Sequence, residues 1–303
     1  KFGSNTAEKY IRKSYKGGWC YARPDRVNKV YNKGCTADVN SLYPSMMLDN
    51  DYPVGKPVFW SSNEIPKEAI GPNKVYIVRV KTRFYLKKNK LPTIQIKGSP
   101  YYDGTEWLTT SDACIDGKYY RSLVDAQGNK IEMRPTLTLT SVDFELLKKH
   151  YNLEDFEILD GCWFWTMSGK LLFGEYINRW SEIKKTSKGA RRQESKLFLN
   201  NLYGKFAARI SNNTKAPYLD EDGNVKFYLI EDEDPNKEWY IPIGSFITSY
   251  ARRFTITAAQ ANYKYFVYSD TDSIHLTCDP SQVKGIKIHN TDFSCWCMEA
   301  VWD

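Results

Sequence analysis

The stretch Tyr268-Ser269-Asp270-Thr271-Asp272-Ser273 sets two carboxylates two positions apart, between the apolar runs Tyr265-Phe266-Val267 and Ile274-His275-Leu276. That pattern predicts a tight hairpin with the acidic pair at its turn. The spacing lets both carboxylates lean to one side of an extended backbone, where two anions repel unless a cation lies between them. A hard divalent ion such as magnesium takes carboxylate oxygens and keeps positions for water and phosphate oxygens, so an open aspartate cluster suits phosphoryl chemistry. Taken alone, the same triplet also describes a solvated loop.

Two further stretches carry groups of the same kind. Gly34 to Met47 reads as a short buried strand ending near Asp38, a turn, and a helix started by Pro44 or Ser45. At a strand end, the Asp38 carboxylate and the Val39 carbonyl can both face a cation, while the amides of the turn around Ser41 can face phosphate oxygens. The alternative is an aspartate that caps the helix. Glu175 to Phe206 is helical in period and dense in cations, with Lys184, Lys188, Arg192 and Lys196 recurring every four residues as one basic stripe unless Gly189 interrupts it. Lys196, Asn200 and Tyr203 fall within roughly 60° on a helical wheel, with Leu199, Leu202 and Phe206 on an apolar face roughly 100° away. Gly204 then ends the helix or admits a ligand, and the charge run by itself also describes a solvated face.

The elements that must position these groups belong to a folded chain. In 303 residues, 42% are hydrophobic and 15% aromatic, enough for a sizeable core in two domains or one domain with insertions. Lys plus Arg exceeds Asp plus Glu by 43 to 36, and the excess of +7 makes nucleic acid the first candidate partner. The seven cysteines are odd in number and scattered, unlike a secreted disulfide framework, and imply a reducing, intracellular setting. Cys295 and Cys297 lack the spacing of a zinc finger or ribbon and read as ordinary thiols. No apolar run approaches the roughly 20 residues of a membrane span, so a soluble protein is expected. Lys1 opens directly into a charged helical segment and Asp303 follows Trp302 without a cap, which suggests a piece of a longer protein.

In chain order, Tyr15-Lys16-Gly17-Gly18 comes first, an aromatic and a cation before two glycines that allow close backbone approach or simply a turn. From about Leu48 to Lys170 short strand-like runs alternate with Gly, Pro and Asn, among them residues 75–80 and 91–97, and predict an inserted, mostly β region. Residues 140–147 carry a Ser cap signal and an apolar stripe, a helix within or closing that region. Residues 212–236 read as a small hairpin with an acidic run from Glu231 to Asp234. Residues 247–266 form a helix, with Thr248, Arg252 and Arg253 at its start.

Taken together in this order, Asp38-Val39-Asn40-Ser41-Leu42-Tyr43-Pro44, the Lys196-x-x-x-Asn200-x-x-Tyr203-Gly204 helix and the Tyr268-x-Asp270-Thr271-Asp272-Ser273 turn resemble the three polymerase motifs of family B DNA polymerases. The details resemble the protein-primed branch, the replicases of bacteriophages and linear plasmids. Its Tyr-x-Gly-Gly motif is matched by Tyr15, Gly17 and Gly18, and its Thr-x-x-Ala-Arg motif by Thr248, Ala251 and Arg252. Asn201 stands where the family usually has Ser. Neither an exonuclease region before Lys1 nor the Lys-x-Tyr segment and thumb after the hairpin is present.

The resemblance implies an α+β fold with an antiparallel polymerase palm (residues 1–48 and 241–303), helical fingers (172–207) and two β-rich insertions (49–171 and 208–240), without thumb or exonuclease domain. It implies template-directed DNA synthesis, with Asp38 and Asp272 as ligands of two magnesium ions (manganese as a substitute), the Val39 carbonyl beside them and Asp270 in support. Nucleotide binding would fall to Val39, Ser41, Tyr43, Lys184, Arg192, Lys196, Asn200 and Tyr203, with Tyr43 as the steric gate against a 2′ hydroxyl. Tyr15, Gly17, Gly18, Thr248 and Arg252 would touch the primer-template. Expected partners are DNA, deoxynucleoside triphosphates and a terminal protein primer, with no membrane, in a host cytoplasm or, for a linear plasmid, a mitochondrion. The other readings are a fragment that binds DNA or terminal protein without catalysis, and another palm enzyme such as a reverse transcriptase, against which Asp270-Thr271-Asp272 argues because those enzymes usually carry adjacent aspartates.

Overall fold

The computed structural model describes residues 5–302, except 100–101, 112, 116–117, 121–122, 125, 129, 132–133, 209–210 and 234–239. Lys1 and the end of the acidic run at Asp234 lie outside the described residues. The fold mixes helices with antiparallel sheet, and no described helix is long and apolar enough to cross a membrane.

A five-stranded sheet carries the two acidic stretches. Its strands lie in the order Cys20–Ala22, Phe266–Asp270, Ser273–Leu276, Gly34–Val39 and Trp296–Trp302, and each neighbouring pair is antiparallel. The predicted hairpin is there, with Ser273 opposite Asp38 and Cys20 opposite Asp270. Strand order therefore brings residues some 230 positions apart to one sheet end. Gly34 to Val39 runs almost wholly buried, as an inner strand of β-branched and small residues should.

Against this sheet packs the helix Ile241–Ala261, which starts six residues earlier than its periodicity predicts. Pro242 in the first turn needs no hydrogen-bond partner for its nitrogen, so the helix opens there, and it closes at Asn262, whose side chain donates to Ala258 O at 2.9 Å and Lys284 O at 2.8 Å. Nearly every residue from Ile241 to Arg252 is buried, so this helix has no wet face along its first half. Burying side chains such as Phe246, Ile247 and Ile256 stabilises the core by about 1.5–3 kcal/mol each.

A second, four-stranded sheet interrupts the first in sequence, in the order Thr136–Thr140, Lys74–Leu86, Tyr151–Ser168 and Asp51–Trp60. The strands of 13 and 18 residues are far longer than the short runs expected from sequence. Charged residues such as Arg79 and Arg83 break the apolar pattern, but they sit on the wetter face and pair across the strands, so the ladder continues through them. The helix Ser141–His150 seals this region, with Thr140 rather than Ser141 as its cap: the Thr140 hydroxyl accepts from Asp143 N at 3.2 Å.

The basic stretch is two helices, Gly169–Thr186 and Gly189–Ala207, not one. Ser187 and Lys188 are extended and Gly189 takes φ 59°, a left-handed conformation that glycine adopts without strain. The predicted single basic stripe is thereby folded into a helical hairpin, and Lys188 falls in its bend. Gly204 does not end the second helix, which continues to Ala207.

Candidate active site

A cavity of about 970 Å³ opens between the sheet end and the helical hairpin. Asp38, Val39 and Asp272 line it from the sheet, and Ser41 and Tyr43 from the turn that follows. Lys184, Arg192, Lys196, Asn200 and Tyr203 line it from the helices. The two-helix fold still brings Lys184 to Arg192 and Lys196, because the hairpin folds the end of the first helix back beside the second.

The carboxylates are held in an uncomfortable state. Burial, then the charges of Asp272 and Glu299, push the Asp38 carboxyl up to about 7. Burial also raises Asp272, with the charges of Asp270 and Glu299 adding to it. Neither has a described ion-pair partner; Val39 N donates to Asp272 O at 2.8 Å and locks the hairpin to the strand end. Opposite them, burial and the neighbouring Arg192 and Lys196 lower the pKa of Lys184, whose Nζ reaches Ser41 Oγ at 3.3 Å. Lys196 offsets part of the shift on both carboxylates, yet both stay raised, while the cations opposite crowd one another. Asp38, the Val39 carbonyl and Asp272 suit a hard divalent ion, and magnesium held through one or two carboxylates plus substrate phosphates needs no closed cage of protein ligands. Among the described residues no three acidic, thiol or imidazole groups form such a cage.

Asp270 stands apart from its partner. Thr271 takes φ 55°, and this kink breaks the alternation that would have aimed both carboxylates the same way. Asp272 faces the cavity, while exposed Asp270 accepts from Cys20 Sγ at 3.0 Å and does not line it. The expected sharing of one side by the two carboxylates is corrected accordingly.

Tyr43 and Tyr203 stack at 4.0 Å between centroids and form an aromatic floor. Burial raises the Tyr43 phenol far above its ordinary range, with the neighbouring Tyr203 and Tyr15 adding to the shift. Burial likewise raises the half-buried Tyr15.

The residues expected to touch DNA divide. Gly17 has open space around it, whereas a Cβ on Gly18 would meet Thr271 Oγ1 at 2.5 Å, so glycine there lets the loop lie directly on the acidic turn. Thr248 and Arg252 are each 1% exposed. Arg252 Nε donates to Asp143 Oδ1 at 3.1 Å and its terminal nitrogens to Asp143 Oδ2 at 2.6 Å, Lys16 O at 2.8 Å and Gly17 O at 2.7 Å. Thr248 bonds only back along its own helix. In this structure neither side chain reaches the surface, which corrects the expected phosphate contact: Arg252 shapes the loop of Tyr15 to Gly18 instead.

Sequence reasoning missed Glu299, Lys185 and residues 290–293, all of which line the cavity. Cys297 pairs with Asp38, and the register slips between Met298 and Ala300, so Glu299 is the extra residue of a bulge that re-aims it. Its only sequence signal is an acid inside the otherwise apolar run Trp296 to Trp302.

Comparison with known proteins gives the family. Residues 3–284 match the profile of DNA polymerase type B, organellar and viral, and the chain belongs to that family. It is 40% identical over 270 residues to the DNA polymerase of Bacillus phage Nf, covering 89% of this chain and 43% of that protein. The DNA polymerase of Streptococcus phage Cp-1 is 36% identical over 263 residues, covering 86% and 42%. Among solved structures, Phi29 DNA polymerase in an orthorhombic crystal form superimposes with a TM-score of 0.81 at 37% identity, over 98% of this chain and 48% of that one. Phi29 DNA polymerase complexed with primer-template DNA and incoming nucleotide substrates also superimposes with a TM-score of 0.81, at 36% identity over 99% and 49%. The chain spans less than half the length of these relatives.

Proposed function

We propose that this chain is the polymerising part of a DNA polymerase, which transfers a nucleotide from a deoxynucleoside triphosphate to a primer 3′ hydroxyl or to the hydroxyl of a terminal protein. The observation that carries the reading is the arrangement of charge around one cavity: two raised carboxylates on the sheet face a crowded cluster of cations on the helices. A metal-bound triphosphate supplies a cation to one wall and an anion to the other. The relative captured with primer-template and incoming nucleotide has the same fold over this whole chain, which supports DNA and nucleotides as partners.

In this reading residues 1–48 and 241–303 are the palm, 172–207 the fingers, and 49–171 and 208–240 the two insertions. Asp38, the Val39 carbonyl and Asp272 hold two divalent ions, with Glu299 close enough to add its charge. Bound there, the ions supply a lowered pKa for the attacking hydroxyl and neutralise charge building on the phosphate. Lys196, Arg192 and Lys184 draw the triphosphate against Ser41 and stabilise the leaving pyrophosphate. Asn200 lies beside them on the face that meets the nucleotide. Asp270 stays behind the turn as support.

The stacked pair Tyr43 and Tyr203 forms the floor on which sugar and base rest. A ring under the sugar leaves little space for a 2′ hydroxyl, so Tyr43→Val should admit ribonucleotides with a much smaller loss for deoxynucleotides. The experiment extends a primed template with magnesium in the full polypeptide and compares kcat/KM for a ribonucleotide and its deoxy counterpart. An unchanged ratio removes Tyr43 from the sugar, and no extension by the unaltered protein removes the polymerase reading. A non-catalytic binding fragment has less support, because Lys196 offsets the repulsion between the cavity's carboxylates only in part and both acids are kept there raised.

A further inference from the structure

The segment 289–294 forms part of the cavity wall, where Asn290, Thr291, Asp292 and Phe293 line it. Beyond the bridge between Ile288 and Trp296 and its flanking bonds from His289 N and Trp296 N, it has no sheet ladder of its own, and residues 289–292 are exposed. Its shape is set from across the cavity edge. Asn40 Nδ2 donates to His289 O at 2.6 Å and to Asp292 O at 3.1 Å, and Asn40 N donates to Cys295 O at 2.9 Å. Ser45 Oγ donates to Asn40 O at 2.9 Å and accepts from Ser294 N at 2.8 Å, while the Ser294 hydroxyl bonds Asp49. Within the segment, Thr291 N and Asp292 N donate to His289 Nδ1 at 3.3 and 3.0 Å.

A carboxamide has two N–H donors, and Asn40 spends its amide on two carbonyls three residues apart, which fixes the curvature of the segment between them. Asn40 directly precedes Ser41, whose hydroxyl meets Lys184. The segment therefore borders the end of the cavity where the finger cations converge.

We infer that Asn40 is a positioning residue that holds segment 289–294 as a wall for the triphosphate end of the nucleotide site. The inference rests on the polymerase reading above. Without the two Asn40 side-chain bonds the exposed stretch 289–292 loses the tethers that set its curvature, while Phe293 and Ser294 stay anchored, and nucleotide binding must then order that stretch. Chemistry at the carboxylates is untouched once the nucleotide is seated. The expected signature is a raised KM for the nucleotide with kcat retained.

The test compares the unaltered polypeptide with Asn40→Ala and with Asn40→Asp, which keeps the size but turns an acceptor toward the two carbonyls. KM and kcat for a deoxynucleoside triphosphate on a primed template are measured beside hydrogen exchange of the amides of 290–294. Both variants should raise KM roughly ten- to thirtyfold, as expected for two lost neutral hydrogen bonds, with kcat and DNA affinity within about threefold and with faster exchange in the segment. An unchanged KM overturns the inference, and so does a parallel loss of kcat, DNA affinity and thermal midpoint, which marks a merely structural part. Should the Asn40 variants not fold, the exposed double substitution Asn290→Gly and Thr291→Gly loosens the same wall from its other side; it should raise KM, and an unchanged KM overturns the inference. An unaltered polypeptide that incorporates nothing fails the polymerase reading, whereas an active one with silent Asn40 variants fails this inference alone.

Discussion

Acidic residues in the interposed sheet and acidic residues at the end of the central sheet live under opposite rules. Asp160 accepts from Tyr10 at 2.8 Å and from Arg79 Nε at 3.0 Å, Asp155 pairs with Arg83 at 2.7 Å, and Glu157 with Arg134 at 3.0 Å. The helix sealing that sheet buries Asp143 against Arg252 at 2.6 Å. Asp38 and Asp272, in contrast, are half-buried beside one another and beside Glu299, and their carboxyls are raised. Paired charges satisfy one another within the fold, whereas like charges held in proximity and raised mark a candidate ligand site.

The largest effect should come from the carboxylates. Asp38→Asn or Asp272→Asn should lower nucleotide incorporation about a thousandfold or more while leaving the thermal midpoint equal to or above that of the unaltered protein, because a repelling anion is removed. Primer extension and thermal unfolding read both halves. Incorporation within tenfold, or a clear loss of stability, would put these residues in the same category as Asp160.

Next is the buried pair. Asp143→Ala leaves the Arg252 guanidinium buried without its carboxylate and should lower stability by about 3 kcal/mol, read as a shift in denaturant midpoint. A shift below about 1 kcal/mol would mean that water replaces the partner. Lys196→Ala removes a point charge at the nucleotide and not along the duplex, so KM for nucleotide should rise about tenfold or more with salt-dependent DNA affinity nearly unchanged. Equal losses in both would move Lys196 to the DNA surface. Smaller again, Asp160→Ala should lower stability by about 1–2 kcal/mol and leave incorporation within about threefold, since it strands Arg79 and Tyr10, neither of which lines the cavity.

The smallest effect is a pH dependence within the interposed region. His150 is 2% exposed, its Nδ1 lies 2.8 Å from Leu91 O, and burial pushes its pKa down to about 4 from 6.5. The unfolded chain then binds a proton below about pH 6.5 that the folded chain refuses until about pH 4, so stability present above 6.5 is lost as pH falls toward 4. Between pH 7.5 and 5.5 the loss should be about 1 kcal/mol. His150→Gln, compared with the unaltered protein by denaturant unfolding at both pH values, should remove most of that difference; an unchanged difference would assign it to other groups.

What sequence could show were the groups whose meaning is local. Asp38 after a strand, the period of Lys196, Asn200 and Tyr203, and the turn at Thr271 all follow from residue spacing, because backbone period and turn chemistry act over a few residues. Which acid belongs to the site is not a local property. Asp270 and Asp272 look alike in sequence, and only the left-handed Thr271 and the neighbouring Cys20 send them different ways. Arg252 reads as an exposed cation until the long-range packing of Asp143 takes it inside. Glu299 and the segment tethered by Asn40 reach the cavity through a bulge and through bonds spanning some 250 residues. Such placement is settled by which strands pair and which charges find partners across the fold, and those free energies come from contacts that no window of sequence contains.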